Sequence, residues 1–306
     1  MFHRKGIIFG LLAAFSFSLM VVCVKAAHPI PPQEVIFARS VFNLILSYAV
    51  LKAQGAAIWG SSKNRWLLIL RGLAGYGALS AYFFSLIKLP IGTASLIQYM
   101  SPVFSGIMAH FALRENSSRG QWFCLLFGLL GVGFIAHVLP IPSLNASIEW
   151  YYWFACLGSA CLSGIAYVCV RRLSLAHENP EVIVFYFPLI SLPLSLLCGL
   201  TGWVIPNTQQ WFLLFGVGLS SYLGQVFLTH SLKNEKTSVA ANTLYSGALF
   251  AVLWGILFFH ELPDWSLFIG ATFIIGSQVL LLHANSSGNS SLKQEHPTQE
   301  RLRKTP

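Results

Sequence analysis

Ten apolar runs follow one another between Gly6 and His283, joined by short connections that hold nearly all of the charge. A helix needs ~20 apolar residues to cross ~30 Å of hydrocarbon. The runs therefore predict spans at 6–24, 34–51, 66–87, 91–113, 120–138, 150–170, 181–203, 211–231, 238–259 and 263–283. With 55% of residues hydrophobic and 9% charged, a soluble fold would leave far too much apolar surface in water. The first run, behind Arg4 and Lys5, is longer than the apolar core of a usual signal peptide, and it reads as a retained span. The expectation is an all-α membrane protein of ten transmembrane helices.

The charge distribution orients the spans. The net charge is +9, but the cations are scattered in twos and threes between apolar runs, which argues against a nucleic-acid surface. With the N-terminus inside, fifteen Lys and Arg residues, from Arg4 and Lys5 to Lys304, face the cytoplasm. Only Lys25 and Lys88 face outward. Both termini are then cytoplasmic, and in a bacterial host the protein is a multi-pass inner-membrane protein. Trp66, Trp150, Trp203, Trp211 and Trp265 fall near span ends, as interfacial anchors do. The six cysteines all lie in apolar runs with no metal-site spacing, so no metal is expected and packing is their expected role. The tail from Asn285 lacks apolar periodicity.

An internal repeat runs through the chain. At an offset of 146 residues, Tyr76, Ser85, Leu86, Ala94, Tyr99, Phe104 and Glu115 meet Tyr222, Ser231, Leu232, Ala240, Tyr245, Phe250 and Glu261. Gly72 also meets Gly218, and Lys25 meets Arg171. Because each copy has an odd number of spans, five, the second enters the membrane from the opposite face. The predicted architecture is two inverted five-helix repeats, 1–138 and 150–283, with a linker at 139–149 and a disordered cytoplasmic tail at 284–306. Such folds place a binding site near the midplane between the copies.

Helical periodicity puts polar residues on single faces of four spans. The third offers Tyr76; the fourth Gln98, Tyr99 and Pro102; the eighth Ser221, Tyr222 and Gln225; and the ninth Asn242 and Tyr245. Unsatisfied polar groups in hydrocarbon cost several kcal/mol, and one central cavity would serve them all. Close helix packing by small residues is the competing reading for the glycines and serines. Pro102 is expected to kink its helix. Arg39 and Arg71 sit a short way inside span ends, where snorkelling to the interface is the expectation for both. Arg39 is also a candidate partner for an anion or carboxylate near the outer mouth. His110 and His230 lie near inner span ends and suit interfacial hydrogen bonding.

No carboxylate falls at the midplane, which weakens coupling schemes built on a buried acid and excludes an intramembrane aspartyl protease. GxSxG, HExxH and P-loop patterns are absent, so no catalytic residues are assigned.

The repeated segment resembles the EamA-type members of the drug/metabolite transporter superfamily. The residues that carry the likeness are the turns Lys88-Leu-Pro and Lys233-Asn-Glu-Lys, Pro102 in SPVF, the terminal Glu115 and Glu261, and the late glycines Gly131 and Gly276. The likeness extends to about His283; Ala248 departs from it, standing where the family often has proline. It implies a carrier that moves a small organic metabolite (amino acid, nucleotide-like metabolite, vitamin or drug) by alternating access through a central cavity. No cofactor is implied. The expected partners are the substrate and the lipid bilayer, with a homodimer left open. A non-transporting receptor or scaffold and, further off, an intramembrane enzyme are the alternatives.

Overall fold

The computed structural model describes residues 3–27, 29–85, 88–89, 94, 97–115, 117–135, 149–199, 202–259, 265–266 and 268–281. The linker loop Leu139–Ser147, the turn around Pro263 and the tail from Asn285 lie outside the described residues. What is described is helical: α1 (His3–Ala26), α2 (Pro32–Ala53), α3 (Arg65–Ser85), α4 (Ser101–Leu113), α5 (Arg119–Ile135) and α6 (Trp150–Leu175) in the first part of the chain. Then follow α7 (Pro180–Gly199), α8 (Thr208–Asn234), α9 (Thr237–Thr243), α10 (Ser246–Phe259) and α11 (Phe268–Leu281).

Seven of these stretches are long and apolar enough to cross a membrane, α9 and α10 counting together as Thr237–Phe258. Three more apolar helices, Ser101–Leu113, Arg119–Phe134 and Phe268–Leu281, are shorter. Local chemistry sets several ends. Pro32 opens α2, where its missing N–H costs nothing. Asn207 and Gln210 form a reciprocal capping box at the start of α8, with Asn207 Oδ1 accepting from Gln210 N at 2.8 Å. Helix α4 ends on Arg114 in the left-handed region, φ 54°, which turns the chain back so that Glu115 lies over the helix end.

Two apolar runs that read as continuous spans are interrupted. The ninth breaks at Leu244–Tyr245, between α9 and α10, through successive tight turns such as Tyr245 N to Asn242 O at 3.2 Å. The fourth breaks at Tyr99–Met100, with Met100 N bonded to Ile97 O at 2.9 Å. Each break contains one of the two repeat-related tyrosines, Tyr99 and Tyr245, which stand 146 residues apart. Pro102 therefore does not kink a continuous helix, as its position suggested. It sits in the first turn of α4, just past a break that removes the need for its N–H.

The main packing contacts join the first half to the second. Helix α1 packs on α8, α2 on α7 and α3 on α6; α4 packs on α6, and α1 on α10. Helix α2 also touches α8, α3 touches α7, and α4 touches α9. Advancing every helix by five spans converts each of these pairings into another of the set or into itself, the signature of a self-complementary interface. Large apolar side chains such as Phe111, Trp66, Phe212 and Leu197 point outward, while serines and asparagines are buried among the helices.

Candidate binding site

Four helices of the core, α2, α3, α7 and α8, enclose a group that charge placement alone did not bring together. Arg39 lies near the start of α2 and Arg71 near the start of α3, so along the chain they belong to opposite ends of antiparallel helices. In the structure both side chains are buried, at 6% and 4% exposure, and both reach the ring of Phe187. Arg39 Cζ is 4.9 Å from the ring centroid and Arg71 Cζ is 4.8 Å from it. Snorkelling is thus overturned for both arginines. Cation–π contact with one desolvated ring holds them in the core. Gly75 makes the arrangement possible: a Cβ there would stand 2.8 Å from both Arg71 Nη1 and Phe187 Cδ2.

The surroundings are polar but carry no compensating charge. Arg71 Nη2 donates to Gln225 Oε1 at 2.7 Å, while its Nε and that of Arg39 have no acceptor among the described residues. One turn from Arg39, Asn43 Nδ2 donates to the buried Ser221 Oγ at 3.1 Å, and Ser40 and Ser191 share a 2.8 Å bond. Tyr222 donates its phenol to Glu181 Oε2 at 3.0 Å. Glu181 in turn borders a cleft of about 360 Å³ lined by Gln54, His177, Glu178, Asn179, His230 and Lys233.

A second group surrounds the two helix breaks. The rings of Tyr99 and Tyr245 lie 6.0 Å apart. Tyr245 and Asn242 are fully buried, and the Tyr245 hydroxyl and both side-chain polar atoms of Asn242 have no partner among the described residues. Gln278 of α11 donates to Asn242 O at 3.0 Å, and Gly128 of α5 abuts the Tyr245 ring. Tyr167 on α6 packs against the apolar cluster that contains Leu244 of the ninth-span break and Tyr186, the neighbour of Phe187.

The candidate residues read from sequence thus divide. Gln225 joins Arg71 directly and Ser221 meets Asn43, one turn from Arg39, whereas Tyr222 turns to Glu181; Tyr99, Asn242 and Tyr245 meet at the breaks, with Pro102 just beyond. Tyr76 is buried on α3 beside Cys198 of α7, away from the tyrosine pair. Gln98 turns to α6, where its Nε2 donates to Ser163 Oγ at 2.9 Å and its Oε1 lies 2.6 Å from Ser159 Oγ. Both ends of that amide are committed to holding two helices together. Sequence reasoning missed Phe187 and Tyr167, which sit in uniformly apolar runs. It could have found Ser159 and Ser163, which are i and i+4 on one face of α6.

Where the ends of α4, α6 and α8 meet the start of α9, a charged pair is closed. Arg171 Nε donates to Glu115 Oε1 at 2.7 Å, and its Nη1 donates to the C-terminal carbonyls of α8, Leu232 O at 2.9 Å and Lys233 O at 3.1 Å. The other Glu115 oxygen accepts from Thr237 N at 2.9 Å, capping the start of α9. His110 Nδ1 lies 3.2 Å from Glu115 O, and His230 stacks on Phe9.

A helical membrane protein with duplicated, mutually packed halves, interrupted helices and a buried polar centre belongs to the class of small-molecule membrane transporters. Comparison with known proteins names the family: the EamA-like transporter family model matches residues 4–136 and again 150–283, and the chain belongs to it. It is a multi-pass transporter rather than an enzyme. A pseudopaline exporter, CntI, of Pseudomonas aeruginosa is 33% identical over 280 residues, covering 91% of this chain and 96% of that protein. Solute carrier family 35 member G1 of Homo sapiens is 28% identical, covering 90% and 78%. An S-adenosylmethionine uptake transporter of Rickettsia conorii is 24% identical, covering 87% of each chain. A solved crystal structure superposes with a TM-score of 0.78 at 18% identity over 91% of this chain, a likeness of fold alone.

Proposed function

We propose that the protein moves a small organic metabolite across a cell membrane by alternating access. In this reading ten spans form two inverted five-helix halves, 1–138 and 150–283, joined by a linker at 139–149. Both termini and the tail at 284–306 are cytoplasmic, and in a bacterium the membrane is the inner one. The exchange symmetry of the helix pairings supports the inverted relation. An uncovered stretch of polar backbone is tolerated at membrane depth only where it is buried or lines a cavity, which favours a substrate site at the paired breaks. One observation carries the reading: the Tyr245 hydroxyl and the Asn242 side chain are fully buried at the break in the ninth span with no partner among the described residues. Buried polar groups of this kind are satisfied by water or ligand.

Tyr99, Tyr245, Asn242, Tyr222, Gln225 and Ser221 would line the path, with Arg39 at its charged end, and Tyr76, Gln98 and Pro102 would shape its walls. The relatives handle chemically different solutes in opposite directions, an exported pseudopaline and an imported S-adenosylmethionine, so the family leaves both direction and solute open. A thermal-shift screen of the purified protein in detergent against a metabolite library tests the site, since a ligand that binds only the folded state raises Tm. A hit that is lost in Tyr245→Phe and Asn242→Ala, and that the wild type transports in proteoliposomes, supports it. A hit bound equally well by both variants moves the site elsewhere. Binding without transport would favour a receptor.

A further inference from the structure

We infer that the Arg39–Phe187–Arg71 group is an anion-binding subsite, and that the transported solute is an organic acid whose carboxylate is received by these guanidiniums. The inference rests on the transporter reading and names its substrate class. Arginine stays charged under all physiological conditions, so burial cannot be relieved by losing the proton. A buried cation with no opposite charge is costly. Here there are two, on helices that both pack on α7, turned toward the same ring rather than away from each other. The ring's face offsets part of that cost, and Gln225 provides one neutral acceptor. Neither replaces a carboxylate, and the described residues supply none to either arginine.

The contrast inside the same molecule is informative. Arg171, at the helix ends, has a carboxylate and two carbonyls. The fold therefore neutralises even a partly buried arginine where that is its structural need. The central pair, left with planar forks and unbonded Nε atoms, matches the two parallel oxygens of a carboxylate. The pair also has no equivalent in the other half: at the repeat offset of 146, Arg39 faces Phe185 and Arg71 faces Val217. Both cations thus belong to one copy, which would orient an asymmetric solute with its acid toward α2 and α3. The rest of the solute would lie toward Tyr167 and the Tyr99–Tyr245 pair, where aromatic faces accept an apolar or ring-bearing body.

The test is ligand-induced stabilisation of the purified protein in detergent. The probes are aspartate, glutamate, succinate, citrate and aromatic amino acids, each against the amide of its acid, with inorganic phosphate and a phosphorylated sugar as further arms. Wild type, Arg39→Gln, Arg71→Gln, Arg39→Lys and Arg171→Gln are compared. Expected is a rise in Tm for at least one acid and not for its amide, and a tenfold or greater rise in the concentration needed in Arg39→Gln and Arg71→Gln. The Lys variant should recover part of the effect, and the ligand-free Tm of both central Gln variants should stay at or above that of the wild type. The inference is overturned if acid and amide stabilise alike, if the Gln variants keep the acid's effect, or if their ligand-free Tm falls as far as that of Arg171→Gln. It is also overturned if no acid acts; transport of an uncharged or cationic solute would then leave the transporter reading standing without it. Stabilisation by the phosphate probes alone would make the subsite a phosphate site and overturn the carboxylate assignment.

Discussion

Arg171 is partly buried and the Arg39–Arg71 pair more deeply so, yet it is Arg171 that the chain supplies with a carboxylate. Around Arg171 a carboxylate takes Nε and two helix-end carbonyls take Nη1, while the same carboxylate caps an amide, tying together the ends of α4, α6, α8 and α9. Around Arg39 and Arg71 the neighbours are a ring, an amide and hydroxyls. A satisfied network fixes structure, whereas an unsatisfied charge must find its partner in something that arrives and leaves. The difference separates what holds this fold from what it is built to handle.

The largest effect should come from unbalancing the balanced site. Glu115→Ala strands Arg171 as a partly buried charge and uncaps α9, a change expected to cost about 2 kcal/mol. Glu115→Ala combined with Arg171→Met should cost clearly less than the sum of the two single changes. Denaturation in detergent measures both, and additivity would remove the contrast between the two regions.

Next, Arg39→Met should leave the fold intact or stabilise it by about 1 kcal/mol while abolishing transport, because an apolar side chain of similar length replaces an uncompensated charge. A loss of stability comparable to that of Glu115→Ala would mean that Arg39 is structural. A smaller effect is expected at Gln98, whose amide is occupied by α6. Ser159→Ala should lower stability by about 1 kcal/mol. Ligand affinity should be unchanged, since the pair holds helices rather than solute; a tenfold loss of affinity would return Gln98 to the binding site.

The smallest effect concerns pH at the turn between α8 and α9. Glu235, in the turn between α8 and α9, is buried against Gly6, and burial pushes its carboxyl up to about 7, with Arg171 acting in the opposite direction. The folded state keeps a proton that the unfolded chain gives up near 4.5. That contribution to stability is fully present below the lower value and is lost as pH rises through the higher one. Tm should therefore fall for the wild type between these limits and fall less for Glu235→Gln. Parallel curves would contradict this.

Much of the architecture was legible because lipid imposes a length and a charge rule on any spanning helix. The ten apolar runs correspond to the seven long helical stretches and three shorter helices, and the repeat offset that aligned Tyr99 with Tyr245 also marks where both spans break. The breaks themselves were not legible: Gln98–Pro102 and Thr243–Ser246 are more polar than the helices around them, but polar residues on one face read equally well as a cavity-facing stretch of continuous helix. Depth along one helix likewise misplaced Arg39 and Arg71. Each lies near its own helix start, but helix packing and the reach of a long side chain bring both to Phe187. Gln98 was legible as polar and buried, though not which neighbour would take it, because that depended on α3 and α6 packing together.

Counterflow in proteoliposomes tests the central site most directly. Vesicles preloaded with an unlabelled acid that stabilises the protein would be given the labelled compound, with wild type and Arg39→Gln assayed side by side at matched folded content. The expected result is accumulation of label by the wild type and background accumulation by Arg39→Gln, whose Tm stays at or above that of the wild type. Accumulation by Arg39→Gln at the wild-type rate would contradict a transport path through the buried arginine pair.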